Sequence, residues 1–107
     1  MIETIQKKLN LACPANMVRQ RLRTLFAAAG PTQVTGMNYL TVEFHWEAIV
    51  RVLAELSNRP IRPEDLRIIC VSVEFNGHAD VVGNGDRTIH MANIGNYHFI
   101  PLYRTRT

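Results

Sequence analysis

The spacing of the apolar residues changes once along this chain, at a turn that contains Pro60 and Pro63. Before this turn, apolar residues recur every three or four positions, which is typical of one face of a helix. After it, they alternate with polar residues, which is typical of a strand buried on one side. Because proline interrupts a helix, the two patterns belong to separate elements. The sequence therefore predicts an α+β fold, with three N-terminal helices packed on one face of a four-stranded antiparallel meander.

The helical part is expected to run to about residue 58. The predicted helices cover residues 2–12, 16–29 and 42–57, and the third has the strongest amphipathic pattern. The apolar positions of this third helix share one face: Val42, Trp46, Ile49, Val50, Leu53 and Leu56. We expect Pro14 to end the first helix and Gly30-Pro31 to end the second.

Turns rich in glycine and asparagine divide the rest of the chain into strands near 67–75, 78–82, 86–94 and 97–104. Each strand is expected to pair with the next one along the chain, so the meander covers about 67–104. A chain of 107 residues suits one domain, and we expect residues 1–107 to form it.

The apolar pattern also selects the pairing, because a slip of one residue moves every side chain of a strand to the other face. Three-residue loops ending at Gly77 and Gly85, and a two-residue turn at Gly95-Asn96, bring the apolar side chains to one face. The residues predicted to face the helices are Ile69, Val71, Val73, Ala79, Val81, Ile89, Met91, Ile100 and Leu102.

The same register predicts aromatic side chains on the outer face of the last strand. Tyr97, Phe99 and Tyr103 would lie there, beside Ile94 and His90 of the preceding strand. This much apolar surface favours burial by a protein partner or by a second copy of the chain in a homodimer. One alternative is that single-stranded nucleic acid stacks on the rings. Another is that residues 32–40, or one of the helices, fold over the patch.

Polar side chains are predicted to form a row across this outer face at Glu74, His78 and His90. Two imidazoles and a carboxylate at neighbouring positions can bind zinc, or act as acid and base in RNA cleavage. The alternative is a row of exposed polar residues without such a role. The row depends on two inferred turns and no motif supports it, so the sequence predicts no metal site and no catalytic residue.

Positive charge is concentrated in the first 40 residues, which contain five basic residues and one acidic residue. Arg19, Arg21 and Arg23 border the apolar face of the second predicted helix and are candidates for contacts with nucleic-acid phosphates. The third predicted helix has more acidic than basic residues, so phosphates would repel it. The alternative for the three arginines is a solvated helix face.

Motifs that carry chemistry are absent from the sequence: it has no P-loop, GxGxxG, HExxH or CxxC, and it predicts no cofactor. Cys13 and Cys70 are too few for a disulfide framework, so we expect a cytoplasmic protein, and the apolar runs are too short to cross a membrane. We predict a small non-enzymatic interaction module, a regulator, inhibitor or adaptor, that binds a protein or itself through the aromatic face. Nucleic-acid binding is the first alternative, and a small His-dependent hydrolase or RNase is the second.

Overall fold

A computed structural model describes residues 1–29, 42–73, 77–95 and 98–103 of the chain, and it has an α+β fold. The α-helices are α1 (Ile2–Lys8), α2 (Ala15–Ala29) and α3 (Val42–Ser57). A short 3-10 helix follows at Pro63–Asp65, so not every helix lies in the N-terminal part. The strands are β1 (Leu66–Ser72), β2 (His78–Val82), β3 (Arg87–Ile94) and β4 (His98–Pro101).

Helix α1 ends at Lys8, before the predicted end at residue 12. Asn10 adopts a left-handed backbone conformation with φ of 55°, and the Leu11 amide donates to the Gln6 carbonyl at 3.1 Å. This is the hydrogen bond that closes a Schellman motif. Asn58, with φ of 53°, follows the last residue of α3 in the same way. Asparagine therefore ends α1, several residues before Pro14.

The sheet is mixed, and the predicted antiparallel meander is wrong. The strand order is β2-β1-β3-β4, so β1 lies between β2 and β3. β1 is antiparallel to β2 and parallel to β3, and β3 is antiparallel to β4. After β2 the chain crosses the start of β1 and continues on its far side, where it forms β3.

Glycines make this crossing possible. The Gly85 amide donates to the Leu66 carbonyl at 3.0 Å, so the crossing loop lies directly against the start of β1. A Cβ added at Gly83 would overlap the Leu66 carbonyl oxygen, and one added at Gly85 would overlap the backbone of Asp65 and Leu66. Backbone can pass this close to backbone only where no side chain intervenes. The glycines that suggested a hairpin turn are required for this close approach.

One hydrophobic core joins the three α-helices to one face of the sheet, which we call the helix face. The sheet contributes Leu66, Ile68, Cys70, Ile89 and Met91 to this core. The helices contribute, among others, Ile2, Ile5, Val18, Leu22, Ile49 and Leu53. Each fully buried aliphatic side chain of this kind stabilises the fold by about 1.5–3 kcal/mol.

The prediction of which β1 and β2 residues face the helices is wrong. Ser72 pairs with His78, two residues from the predicted pairing, and a shift of two leaves the shared faces unchanged. Ile69 and Val71 therefore lie beside Val81 and Ala79, as predicted, but this face is turned away from the helices. The helices instead cover the other side of β1, because Leu66, Ile68 and Cys70 make that side apolar as well.

The pairing of β4 with β3 differs from the prediction by one residue, which turns each β4 side chain to the opposite face. Met91 pairs with Pro101, where the two-residue turn predicted Ile100. Ile94 pairs with His98, so three residues separate the two partners where the prediction had two. Ile100 and Leu102 consequently lie on the face opposite to the predicted one. Of the nine residues predicted to face the helices, Ile89 and Met91 do so.

Candidate functional site

The face of the sheet turned away from the helices is largely aliphatic, and we call it the open face. Two rows of paired residues cross all four strands: Val81, Ile69, His90 and Leu102 in one, and Ala79, Val71, Ala92 and Ile100 in the other. Ile94 extends the second row along β3. A solvated sheet face is normally rich in polar side chains, so this composition needs an explanation.

No α-helix within the described part of the chain packs on the open face, since α1, α2 and α3 all enter the core on the helix face. Val81 is 55% exposed and Ile94 is 39% exposed. Ala92, at the centre, is buried among its larger neighbours, and Ile69, Val71 and Ile100 are half-buried. Residues 32–40, one of the covers that the sequence allowed, lie outside the described residues.

Ionisable side chains on the described open face are few, and none of them is acidic. Arg67 lies at one end of it and His98 at the other, and His90 is the polar residue within the two rows. No carboxylate lies among the described residues of this face. Asp80 lies on the opposite side of β2, where its carboxylate is 3.3 Å from the imidazole of His78. The open face is therefore mainly apolar at its centre, where His90 is the one ionisable residue described, and Arg67 and His98 lie near its ends.

The aromatic face predicted on β4 is not formed. Phe99 lies on the helix face, half-buried against the core, and Thr4 Oγ1 donates to its carbonyl at 2.9 Å. Tyr103 lies beside α1, where the Lys8 ammonium is 4.2 Å from the centre of its ring. Tyr97 lies outside the described residues. Of the predicted partner-binding set, His90 and Ile94 lie on the open face.

The predicted polar row is not formed either. His78 pairs with Ser72 and points to the helix side of β2, whereas His90 lies on the open face, with β1 between the two strands. Glu74 lies outside the described residues. No group of three His, Cys, Asp or Glu that could hold a metal ion occurs within residues 1–29, 42–73, 77–95 and 98–103. The pair on which the hydrolase hypothesis depended is therefore separated by the sheet.

Two of the three arginines of α2 have carboxylate partners within the chain. Arg19 is 2.6 Å from Glu3 of α1, and Arg21 is 3.4 Å from Glu55 of α3. All four side chains are well exposed, so each pair contributes at most about 1 kcal/mol. Arg23 is exposed and has no such partner among the described residues. These arginines connect α2 to its neighbours, and whether they bind nucleic acid stays a prediction.

The two cysteines are free, and Cys70 is buried on the helix face. Burial raises the pKa of the Cys70 thiol to about 11, and the nearby Asp80 carboxylate acts in the same direction. A protonated thiol is a poor nucleophile. Cys70 therefore acts as a core residue at neutral pH.

Most of the open face consists of residues that the sequence analysis assigned to the core, whereas His90 and Ile94 were assigned to the outer face. One signal for the open face was present in the sequence. Ile68 and Ile69 are adjacent, so β1 is apolar on both sides, as expected of a strand in the interior of a sheet.

Comparison with protein-family models, curated protein sequences and solved structures found no match for this chain. Among the described helices, none is long and apolar enough to cross a membrane.

Proposed function

We propose that the protein is a small non-enzymatic interaction module that works by burying its open face, and that the surface it binds is the open face of a second copy. The observation that supports this proposal is the pair of rows, aliphatic except for His90, that run across all four strands without a covering helix in the described structure. The largest apolar patch on a protein surface is often a functional one.

A second copy fits the shape of the open face. Two sheets stack face to face about 10 Å apart, and their aliphatic side chains interdigitate. Four strands about 4.8 Å apart, over six steps of about 3.3 Å, give a footprint of about 400 Å² before side-chain relief is counted. Stable interfaces begin at about 600 Å² per partner, so this face is of the right order for a weak dimer.

A second copy also fits the charges of the open face. With a two-fold axis passing between Val71 and Ala92, the aliphatic rows of the two copies meet at the centre. Arg67 and His98, at the ends of the face, then stay at the rim, where water solvates them. Such a dimer buries no carboxylate from the described open face and leaves no arginine charge unpaired in its centre, which is the costly arrangement. It does bring His90, which lies within one of the rows, into the contact between the two copies.

Light scattering after size exclusion tests this proposal. We expect the measured molar mass of the wild-type protein to rise from 12.2 kDa to about twice that value as its concentration rises through the micromolar range. Val71→Asp places a carboxylate in the centre of the open face and should give a monomer at every concentration. Val81→Lys, at a more exposed position on the edge strand, should also give a monomer and should leave the fold intact.

Met17→Asp is the matched control, because Met17 is a comparably exposed apolar residue on α2, away from the open face. This variant should dimerise like wild type. A wild-type monomer at about 100 µM would contradict self-association and leave the open face to a different protein or to residues 32–40, the cover that the sequence allowed. A dimer that survives both open-face substitutions would show that another surface forms it.

A further inference from the structure

A cavity of about 550 Å³ lies where the end of α1 meets the C-terminal end of β4. Its described lining residues are Lys8, His90, Leu102 and Tyr103. Cavities that hold small molecules have volumes of about 300–1,000 Å³. These lining residues all belong to one copy of the chain, so a ligand site there does not require self-association. His90 and Leu102 also lie on the open face, so a ligand in the cavity and the proposed second copy would compete for them.

Backbone and side-chain contacts hold the walls of this cavity in place. Lys8 Nζ donates to the Leu102 carbonyl at 2.6 Å, and its ammonium lies 4.2 Å from the centre of the Tyr103 ring. The Leu102 amide donates to the His90 carbonyl at 3.0 Å, which continues the β3–β4 pairing beyond the end of β4. The ammonium and the ring are therefore positioned before any ligand arrives, which lowers the entropic cost of binding.

The charge of Lys8 has no anionic partner within the described part of the chain. The Leu102 carbonyl accepts one of its three N–H groups, and the Tyr103 ring faces the ammonium, but no carboxylate pairs with it. The ammonium of this half-buried lysine has N–H groups that can donate to an anion, and hydrogen bonds between charged groups are the stronger ones. Leu102 and the Tyr103 ring provide an apolar, flat surface beside this charge.

We propose that this cavity binds a small molecule with one anionic group, a carboxylate or a phosphate, attached to a flat apolar body. Lys8 binds the anionic group through its remaining N–H groups. The ring of Tyr103 and the side chain of Leu102 contact the flat body.

Calorimetric titration with four probes tests the site in the full chain. 2-Naphthoate and 2-naphthyl phosphate have the proposed chemistry, and they distinguish a carboxylate from a phosphate ligand. 2-Naphthol lacks the charge, and inorganic phosphate lacks the flat body. We expect at least one of the first two to bind with a Kd below about 1 mM, and the last two to bind at least about tenfold more weakly.

Lys8→Gln should raise the Kd of the tighter-binding anionic probe by at least about tenfold, since it removes the charge but keeps a hydrogen-bond donor. Lys7→Gln is the matched control, because Lys7 is the exposed neighbour on the same helix and does not line this cavity. It should change the Kd by less than about twofold. If Lys8→Gln fails to fold, Tyr103→Leu tests the site instead, and it should also weaken binding of the same probe. This variant should fold, because Tyr103 is 60% exposed and lies outside the helices and strands.

Two results would overturn the proposal. In the first, neither anionic probe binds below about 10 mM, which would leave Lys8 as a structural contact between α1 and the end of the sheet. In the second, the probe binds equally well to wild type and to the cavity variants, which would place its site elsewhere.

Discussion

At the scale of single residues, Gly85 lies against the start of β1 with no room for a side chain. A Cβ at this position would overlap backbone atoms of Asp65 and Leu66, and backbone cannot rotate out of the way as a side chain can. Gly77 presents the opposite case, since its φ of 76° is left-handed but nothing lies within 4 Å of an added Cβ. The two glycines therefore separate the cost of a steric overlap from the cost of an unfavourable backbone conformation.

We expect Gly85→Ala to lower the free energy of unfolding by about 3 kcal/mol or more, because the loop must move away from β1. Gly77→Ala should cost about 1–2 kcal/mol, the penalty of a left-handed alanine. Urea unfolding of the two variants beside wild type measures both. Equal losses would contradict the close approach of the crossing loop to β1.

Cys70 makes the fold less stable as the pH rises into the alkaline range. Burial raises the pKa of its thiol from 9.0 to about 11 in the folded state. Above pH 9 the thiol of the unfolded chain ionises first, so the unfolded state is stabilised by an ionisation that the folded state does not undergo. The contribution of Cys70 is complete below pH 9 and is lost as the pH rises towards 11, and it amounts to at most about 3 kcal/mol.

We expect the free energy of unfolding of wild type to fall between pH 9 and 11 more steeply than that of Cys70→Ala. Cys13→Ala, which removes the half-buried cysteine, should keep the wild-type slope. Urea titrations at four pH values compare the three proteins. Parallel curves for wild type and Cys70→Ala would contradict a raised pKa at Cys70.

At the scale of the elements, β4 shows how one residue of register decides what a strand does. Phe99 and Ile100 are adjacent, and the observed pairing sends Phe99 towards the helices and Ile100 to the open face. The two-residue turn predicted the reverse, with Phe99 available to a partner. A substitution at each position distinguishes the two registers directly.

We expect Phe99→Glu to destabilise the protein by at least about 2 kcal/mol, because it places a charge against the core beneath α1. Ile100→Glu should cost less than about 1 kcal/mol in the folded monomer, since the open face is accessible to water there. Thermal unfolding followed by circular dichroism measures both. If Phe99→Glu were the milder substitution, the predicted register of β4 would be right after all.

The arginines of α2 provide a test of nucleic-acid binding at the same scale. Because Arg19 and Arg21 already pair with Glu3 and Glu55, we expect an Arg19, Arg21 and Arg23 triple substitution by Gln to leave RNA binding unchanged. Fluorescence anisotropy with a labelled single-stranded RNA at two salt concentrations measures this. Tight, salt-dependent binding by wild type that is lost in the variant would instead favour a nucleic-acid function.

At the scale of the whole molecule, the sheet separates two environments. The helix face carries the core that stabilises the chain, and the open face carries a second apolar surface of similar composition. In a sheet with two apolar faces, the second face is buried by another layer, and here we propose that a second copy supplies this layer.

Dimerisation through the open face should make the melting temperature depend on protein concentration, because only folded chains associate. A hundredfold increase in concentration across the micromolar range should raise the melting temperature of wild type by about 5 °C. The melting temperature of Val71→Asp should not change over this concentration range, and that of Met17→Asp should rise as it does in wild type. A melting temperature of wild type that does not change with concentration would contradict the dimer.

The sequence by itself determined the elements and their order, because helix and strand periods are local properties of about ten to fifteen residues. The bounds of α3 and β2 agree with the prediction, and so do the apolar positions of α3 that enter the core. Even the shared face of Ile69, Val71, Ala79 and Val81 follows from period-two alternation.

Only the tertiary structure decided which strands are neighbours and which face of the sheet the helices cover. β1 is apolar on both sides, so alternation cannot distinguish the helix face from the open face. The helices make the distinction by packing on the side of Leu66, Ile68 and Cys70. The position of β3 depends on Gly83 and Gly85 passing close to Leu66, a contact that no local pattern reveals. The candidate site depends on both decisions, because the open face exists only once β1 lies at the centre of the sheet.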